Sequence, residues 1–500
     1  MLFSSLEFIY LFLPPVLAVF FVLKSLRMET AIIWWLITAS LIFYMWWSPP
    51  HVLLLLGSVG CNYFFHLKLK SNANRFVFGM GVIFNLGLLA VFKYADFMIG
   101  NFNLVSGYSL PELGLILPLA ISFYTFQQIS FLHDTFKGNL IRCDFKRYML
   151  FVTFFPQLIA GPIVLQKDTV PQFKLETFTN KWTLNLAVGV TLFAIGLFKK
   201  IVLADGIAPT ANAVFTLADQ GQAVSFEAAW IGALAYTFQI YFDFSGYCDM
   251  ALGLARMFGI RLPINFNSPY QSFSIVEFWR RWHITLSRFL RDYLYIPLGG
   301  NRSGILGTRG NLMITMLLGG LWHGAGWNFV IWGGLHGSYL MANHLWSASI
   351  AKTFLVRQIP DVLYFALCWL LTFLAVVVAW VFFRAETFSG AIGIVASMFG
   401  MTAVDTMGWS AVIPNPDYVF TFLTFLFVVV LGLPNSIQIT RNYRPVISTI
   451  LETRRSCVPL GWLVWRPSKS WGVPIVGLGI VAIIQIYRLN DLTEFIYFNF

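Results

Sequence analysis

Residues 361–383 read DVLYFALCWLLTFLAVVVAWVFF. After Asp361 the stretch holds no charged residue. As a helix it rises about 35 Å, enough to cross a hydrocarbon core of about 30 Å. The same reading extends outward in both directions. Apolar stretches recur at 6–23, 31–47, 51–66, 76–92, 113–132, 148–165 and 183–198, and again near 417–433 and 472–487. Most can span, some with tilt or help from flanking residues. The expected fold class is an all-α polytopic integral membrane protein. Composition agrees, because only 11% of the 500 residues are charged and 58% are hydrophobic, against about 25% charged in a soluble domain. A soluble globule could not hide so much apolar surface. Disordered, fibrous and disulfide-scaffold classes are excluded.

The net charge of +11 follows from topology rather than from nucleic-acid binding, which has no support. Lys24 and Arg27 follow the first span, Lys68, Lys70 and Arg75 the third, and Lys137, Arg142, Lys146 and Arg147 the fifth. The loops near 48–50 and 100–112 carry no Lys or Arg. This alternation places the basic loops in the cytoplasm and the N-terminus outside. The first helix is expected to stay, since no basic residue precedes it and no small-residue cleavage site follows. The cysteines at 61, 143, 248, 368 and 457 form no CxxC pair, which argues against a zinc site or disulfide framework. No internal repeat appears, which disfavours an inverted-repeat transporter.

Three stretches can carry chemistry. The first is Leu321-Trp322-His323-Gly324-Ala325-Gly326-Trp327, with seven glycines between 319 and 337. Such density permits broken helices and close backbone approach where a cavity is lined. An ionisable residue there is costly, so His323 is a candidate for taking a proton from a hydroxyl. A packing histidine among helix-contact glycines is the plainer reading. His336, thirteen residues on, reads as structural.

The second stretch is Glu277-Phe278-Trp279-Arg280-Arg281-Trp282-His283, continuing through Arg288, Arg291 and Asp292. At helical spacing the charges share one face and Phe278, Trp282, Leu286, Phe289 and Tyr293 the other, which predicts one helix lying in the membrane interface over 277–296. His283 falls on the flank away from the arginines. The arginines either anchor the helix at anionic headgroups or also clamp a phosphate of an anionic donor. The third stretch is Tyr241-Phe242-Asp243-Phe244-Ser245-Gly246-Tyr247-Cys248-Asp249. Its carboxylates need partners or water. They line an aqueous cavity, orient a histidine, accept from a substrate hydroxyl, or only cap a helix break beside Gly246.

These motifs, with Arg291-Asp292-Tyr293-Leu294-Tyr295-Ile296-Pro297-Leu298-Gly299-Gly300-Asn301-Arg302 and Phe155-Pro156-Gln157-Leu158-Ile159-Ala160-Gly161-Pro162, resemble the membrane-bound O-acyltransferases. The likeness is strongest to the bacterial branch that O-acetylates alginate, and it covers about residues 1–390. It departs at Ile163–Lys167, where the family carries an arginine, and at Cys248, where serine is common. The resemblance implies a ring of tilted transmembrane helices around a central tunnel, with interfacial and re-entrant helices. It implies a single membrane-embedded domain over 1–500, with a catalytic core at about 115–390 and further spans at about 391–500.

It also implies that His323 and His283 are the two active-site histidines, with Asp243, Trp322, Arg280 and Arg281 as substrate or tunnel candidates. No metal or bound cofactor is implied. The donor would be an acyl thioester, acetyl-CoA or an acyl carrier. A periplasmic acetyltransferase partner and membrane lipid would be the partners, and the bacterial inner membrane the location. The expected activity is acetyl transfer across that membrane for O-acetylation of an exported polysaccharide such as alginate. The alternatives are acylation of another polymer (cellulose, or D-alanylation of teichoic acid) and bond-free transport of an acyl donor or polymer.

Overall fold

A computed structural model describes residues 1–139, 143–302, 304–349, 359–401, 409–413, 415–447, 463–488 and 494–496. Arg142 and Cys457 lie outside them. Among the described residues the chain is helical, with no β-strand. The helices that matter here are α1 (Glu7–Ser25), α2 (Glu29–Met45), α3 (Pro49–Ser71), α4 (Arg75–Ser106), α5 (Ile121–Phe136), α6 (Phe145–Thr153), α7 (Trp182–Asp219) and α8 (Phe226–Met257). They continue with α9 (Ile275–Trp279), α10 (Ile284–Leu290), α11 (Gly304–His323), α12 (Trp327–Ala348), α13 (Asp361–Arg384), α14 (Phe388–Met398), α15 (Pro416–Gly432) and α16 (Lys469–Arg488). Among these, α1, α3, α4, α7, α13 and α16 are long and apolar enough to cross a membrane. The chain is a polytopic all-α membrane protein.

Several apolar stretches take a form that periodicity did not foretell. The stretch at 148–165 is not a span. It breaks into α6, a turn at Phe155–Leu158 and an unwound segment. Pro156 opens the short turn, where its missing donor costs nothing, and Pro162 disfavours helix at Gly161. The segment is core, with Phe154, Phe155, Val164 and the polar Gln157 all buried. The stretch at 113–132 begins unwound, and its helical part, α5, is buried on nearly every side. The stretch at 183–198 runs on through a π-helical turn at Lys199–Ala204 to Asp219.

The segment around Gly246 also differs. Helix α8 continues through it without interruption for 32 residues, so Asp243 and Asp249 cap no break. Its start is capped by Ser225, whose Oγ accepts from Ala228 N at 3.2 Å. Gly246 serves helix contact. A Cβ on Gly196 of α7 would lie 2.5 Å from Gly246 O, and one on Gly246 would lie 2.8 Å from Gly196 O. Gly189 and Gly253 repeat the arrangement one heptad away. Small residues let the two backbones touch, the usual basis of helix association in lipid. One contiguous apolar core runs from Met1 to Phe495, and α8 crosses it.

Candidate active site

The predicted interfacial helix over 277–296 is not one helix. It breaks at His283, which separates α9 from α10 and adopts a left-handed backbone, φ 42° and ψ 52°. That conformation is disfavoured for a residue with a Cβ, and such strain persists where the surroundings hold it. Here the hold is Asn265, on the loop after α8. Its Oδ1 accepts from Thr285 N at 3.2 Å and Thr285 Oγ1 at 2.9 Å, and lies 3.1 Å from His283 Nδ1. Asn265 O accepts from Ile284 N at 3.0 Å. The Thr285 backbone N–H can only donate, which fixes the Asn265 amide with its oxygen toward the histidine. His283 Nδ1 is therefore the protonated nitrogen, and in the neutral ring Nε2 carries the lone pair. The break turns His283 fully inward, away from the exposed face of Arg280.

His323 is the last residue of α11, and the helix ends at Gly324-Ala325-Gly326 before α12 begins. The glycine-rich stretch thus forms a broken helical hairpin. A Cβ on Gly320 would overlap Phe329 O of α12, so the two arms touch through backbone. The final carbonyls of a helix lack intrahelical partners. Tyr94 Oη donates to Leu321 O at 2.9 Å, and Lys93 Nζ donates to Trp322 O. Both come from a π-helical turn of α4, Ala90–Tyr94, whose extra residue turns them toward this end.

The histidines meet in an aromatic chamber. Their ring centroids are 6.5 Å apart. Trp322 lies 4.9 Å from His323 and 6.2 Å from His283, and stacks on Phe126 at 5.3 Å. Its indole N–H is buried without an acceptor among the described residues. Trp332 lies 5.0 Å from His323 and 4.8 Å from His336, so His336 joins the same cluster. Phe244 of α8 stands edge-on to His283 at 4.8 Å.

Asp243 does not orient either histidine. Its carboxylate pairs with Lys200 Nζ at 2.7 Å and accepts from Ile496 N at 3.0 Å. Lys200 also pairs with Asp205 at 2.8 Å, and Lys199 pairs with Asp249 at 2.6 Å. The π-helical turn of α7 aims both lysines inward, which is how α8 carries two carboxylates through the core. Arg281 is held by Glu277 Oε1 (2.9 Å) and donates to Asn267 O (3.3 Å), and Arg288 pairs with Asp168 at 2.5 Å. Arg280 is exposed.

Sequence reasoning missed Asn265, Lys93 and Lys199–Lys200. Each had a faint mark: an asparagine between Pro263 and Pro269, and lysines where apolar runs should have ended. A cavity of about 760 Å³ opens beside the turn after His323, lined by Ala325, Gly326, Phe329, Phe383, Tyr236 and Gln239 among others. Phe383 also packs on His323 at 5.1 Å.

Residues 137–383 match the membrane-bound O-acyltransferase family, and they contain both histidines, Asp243, Trp322, Arg280 and Arg281. The peptidoglycan O-acetyltransferase of Helicobacter pylori is 45% identical over 434 residues, 81% of each chain. The probable alginate O-acetylase AlgI of Azotobacter vinelandii is 42% identical over 410 residues, 80% of this chain and 78% of the relative. A teichoic acid D-alanyltransferase of Bacillus subtilis is 29% identical over 240 residues, 45% of this chain and 58% of the relative. Identity at this level over four-fifths of both chains, with a family match whose span contains both facing histidines, places the chain in the membrane-bound O-acyltransferase family as an O-acyltransferase.

Proposed function

We propose that the chain transfers an acetyl group from a cytoplasmic thioester to a hydroxyl on the route to an exported or wall polysaccharide, through a periplasmic acetyltransferase partner. The observation that carries this reading is the pair of buried histidines facing one another across 6.5 Å, with the tautomer of one set by Asn265. Neutral His323 takes the proton of the attacking hydroxyl. The oxygen adds to the thioester carbonyl, the C–S bond breaks, and the sulfur takes the proton from His323 and leaves as a thiol, which restores the neutral base. Proton transfer of this kind contributes about 10²–10⁴-fold.

His283, with Nδ1 committed as a donor, offers Nε2 as an acceptor and so positions a hydroxyl rather than polarising a carbonyl. The indole N–H of Trp322 is the donor for the carbonyl. Acetyl rather than D-alanyl transfer is favoured because the relatives above 40% identity carry acetyl-transfer names and the D-alanyltransferase stands at 29%. Alginate and peptidoglycan are the first polymers to test. The reading places the chain in the inner membrane with the N-terminus periplasmic.

The test is thiol release from acetyl-CoA and from acetylated carrier by purified protein, with His323→Ala as the variant. Loss of release with normal membrane abundance is expected. Wild-type release by the variant would remove His323 from the mechanism. Absence of release by the wild type from either donor would favour transport instead.

A further inference from the structure

A second cavity, of about 610 Å³, lies far from the histidines, at the other end of α8. From Gln239, beside the first cavity, to Arg256, in the second, is about 26 Å of helix. The second cavity is lined by Arg256, Arg261, Arg444 and Lys181 together with polar groups such as Asn180 and Asn442, and no carboxylate is among its described lining residues. Arg256 is 3% exposed. It donates from Nη2 to Tyr443 O at 3.3 Å, while Nε–H has no acceptor among the described residues. Arg261 lies close enough to both Arg256 and Arg444 for the like charges to repel. No hydrogen bond or ion pair engages the guanidinium of Arg261 or Arg444 among the described residues. The loop is instead held by its backbone, with Arg261 N donating to Gln172 Oε1 at 2.9 Å and Arg261 O accepting from Gln172 Nε2 at 2.8 Å.

The excess of Lys and Arg in cytoplasmic loops does not account for this arrangement. That rule asks only for solvated cations near span ends. A guanidinium withdrawn from water beside another, itself next to a third, needs a counter-charge. Next to the cavity, Trp182 at the start of α7 is exposed and carries Lys24 Nζ over its ring at 4.3 Å. This aromatic–basic pairing marks headgroup depth in a membrane.

We propose that this cavity binds a phosphate-bearing anion, presented either by an anionic lipid headgroup or by a soluble phosphate, with Arg256, Arg261 and Arg444 as its ligands. Planar guanidinium groups suit bidentate contact with phosphate oxygens. The cavity volume falls in the range of small-ligand sites, about 300–1,000 Å³. This inference is independent of the catalytic reading.

Full-length protein in neutral detergent tests it in two arms. In the first, native mass spectrometry reads retention of phosphatidylglycerol against phosphatidylcholine. In the second, thermal unfolding is followed during titration with inorganic phosphate, against chloride at equal ionic strength, because a ligand of the folded state raises the midpoint. Wild type is expected to respond in at least one arm. Arg261→Gln with Arg444→Gln should weaken that response about tenfold, as loss of charge-assisted hydrogen bonds does.

Arg444→Gln alone, on an exposed residue, keeps the test readable if the double variant does not fold, and should weaken the response severalfold. A response to lipid assigns a headgroup site, and one to phosphate only assigns a soluble ligand. Equal behaviour of wild type and the variants in both arms would overturn the proposal.

Discussion

His283 and His323 face each other at a ring-centroid distance of 6.5 Å, and they arrive there by opposite backbone devices. His283 stands in a left-handed turn ahead of a seven-residue helix. His323 ends a twenty-residue helix. One is held by Asn265, the other by Lys93 and Tyr94 grasping the carbonyls just before it. A single side chain on a distant loop therefore sets the orientation of half the pair.

Asn265→Ala removes the acceptor for His283 Nδ1 and for both donors of Thr285. Turnover should fall about tenfold or more, with KM for the thioester changed less than about twofold, since the ring is misdirected while the donor path is untouched. The variant should also lose about 1–3 kcal/mol of stability from the unsatisfied Thr285 N–H. Parallel steady-state kinetics and thermal unfolding check this, and a loss confined to KM would contradict the positioning role.

Trp322→Phe keeps an aromatic ring against Phe126 and deletes the indole N–H. If that N–H meets the carbonyl as charge develops, the acetylation rate should fall by about 10² or more, the scale for losing one such donor. Abundance in membranes should stay near wild type. A rate within about twofold of wild type would leave Trp322 as packing only.

Lys200→Met strands Asp243 and Asp205 in the core. Breaking a buried pair from one side costs about 3–5 kcal/mol. The variant should show a markedly lower unfolding midpoint and reduced abundance. Adding Asp243→Asn and Asp205→Asn should recover much of the loss, because no buried charge is then left alone. Failure of the triple variant to recover would show that the lysine acts through shape.

Gly320→Ala and Gly326→Ala separate two uses of glycine in the hairpin. At 320 the added methyl would overlap Phe329 O, and at 326 it would sit 3.6 Å from the Phe329 ring, an ordinary contact. The first variant should fail to accumulate or lose most activity. The second should keep the abundance of the wild type. Comparable stability of the two by thermal unfolding would show that the arms can separate without consequence.

The membrane class, several of the spans and His323 as a candidate were legible from local pattern, whereas His283 became a candidate only through the family resemblance. A run such as 361–383 is apolar on every face, so its environment follows from composition and length. His323 was marked by an ionisable ring among glycines within an apolar stretch. The same local logic misread other segments. Residues 121–132 and the run at 148–165 are apolar because they are core, and hydropathy does not distinguish lipid from protein interior. The charges over 277–296 fitted one helical face, yet His283 breaks that helix, because hydrogen bonds from a residue eighteen positions earlier hold the left-handed turn.

What the sequence determined by itself was that each long segment avoids water, and the kinds of chemistry present, since both follow from side-chain polarity at close range. Tertiary structure decided which charges cancel and which groups meet. Lys200 and Asp243 are 43 positions apart and His283 and His323 are 40. Each pairing depends on how π-helical turns, touching glycines and an unwound loop rotate one helix against another. Those rotations are set by contacts between distant segments, and no local pattern encodes them.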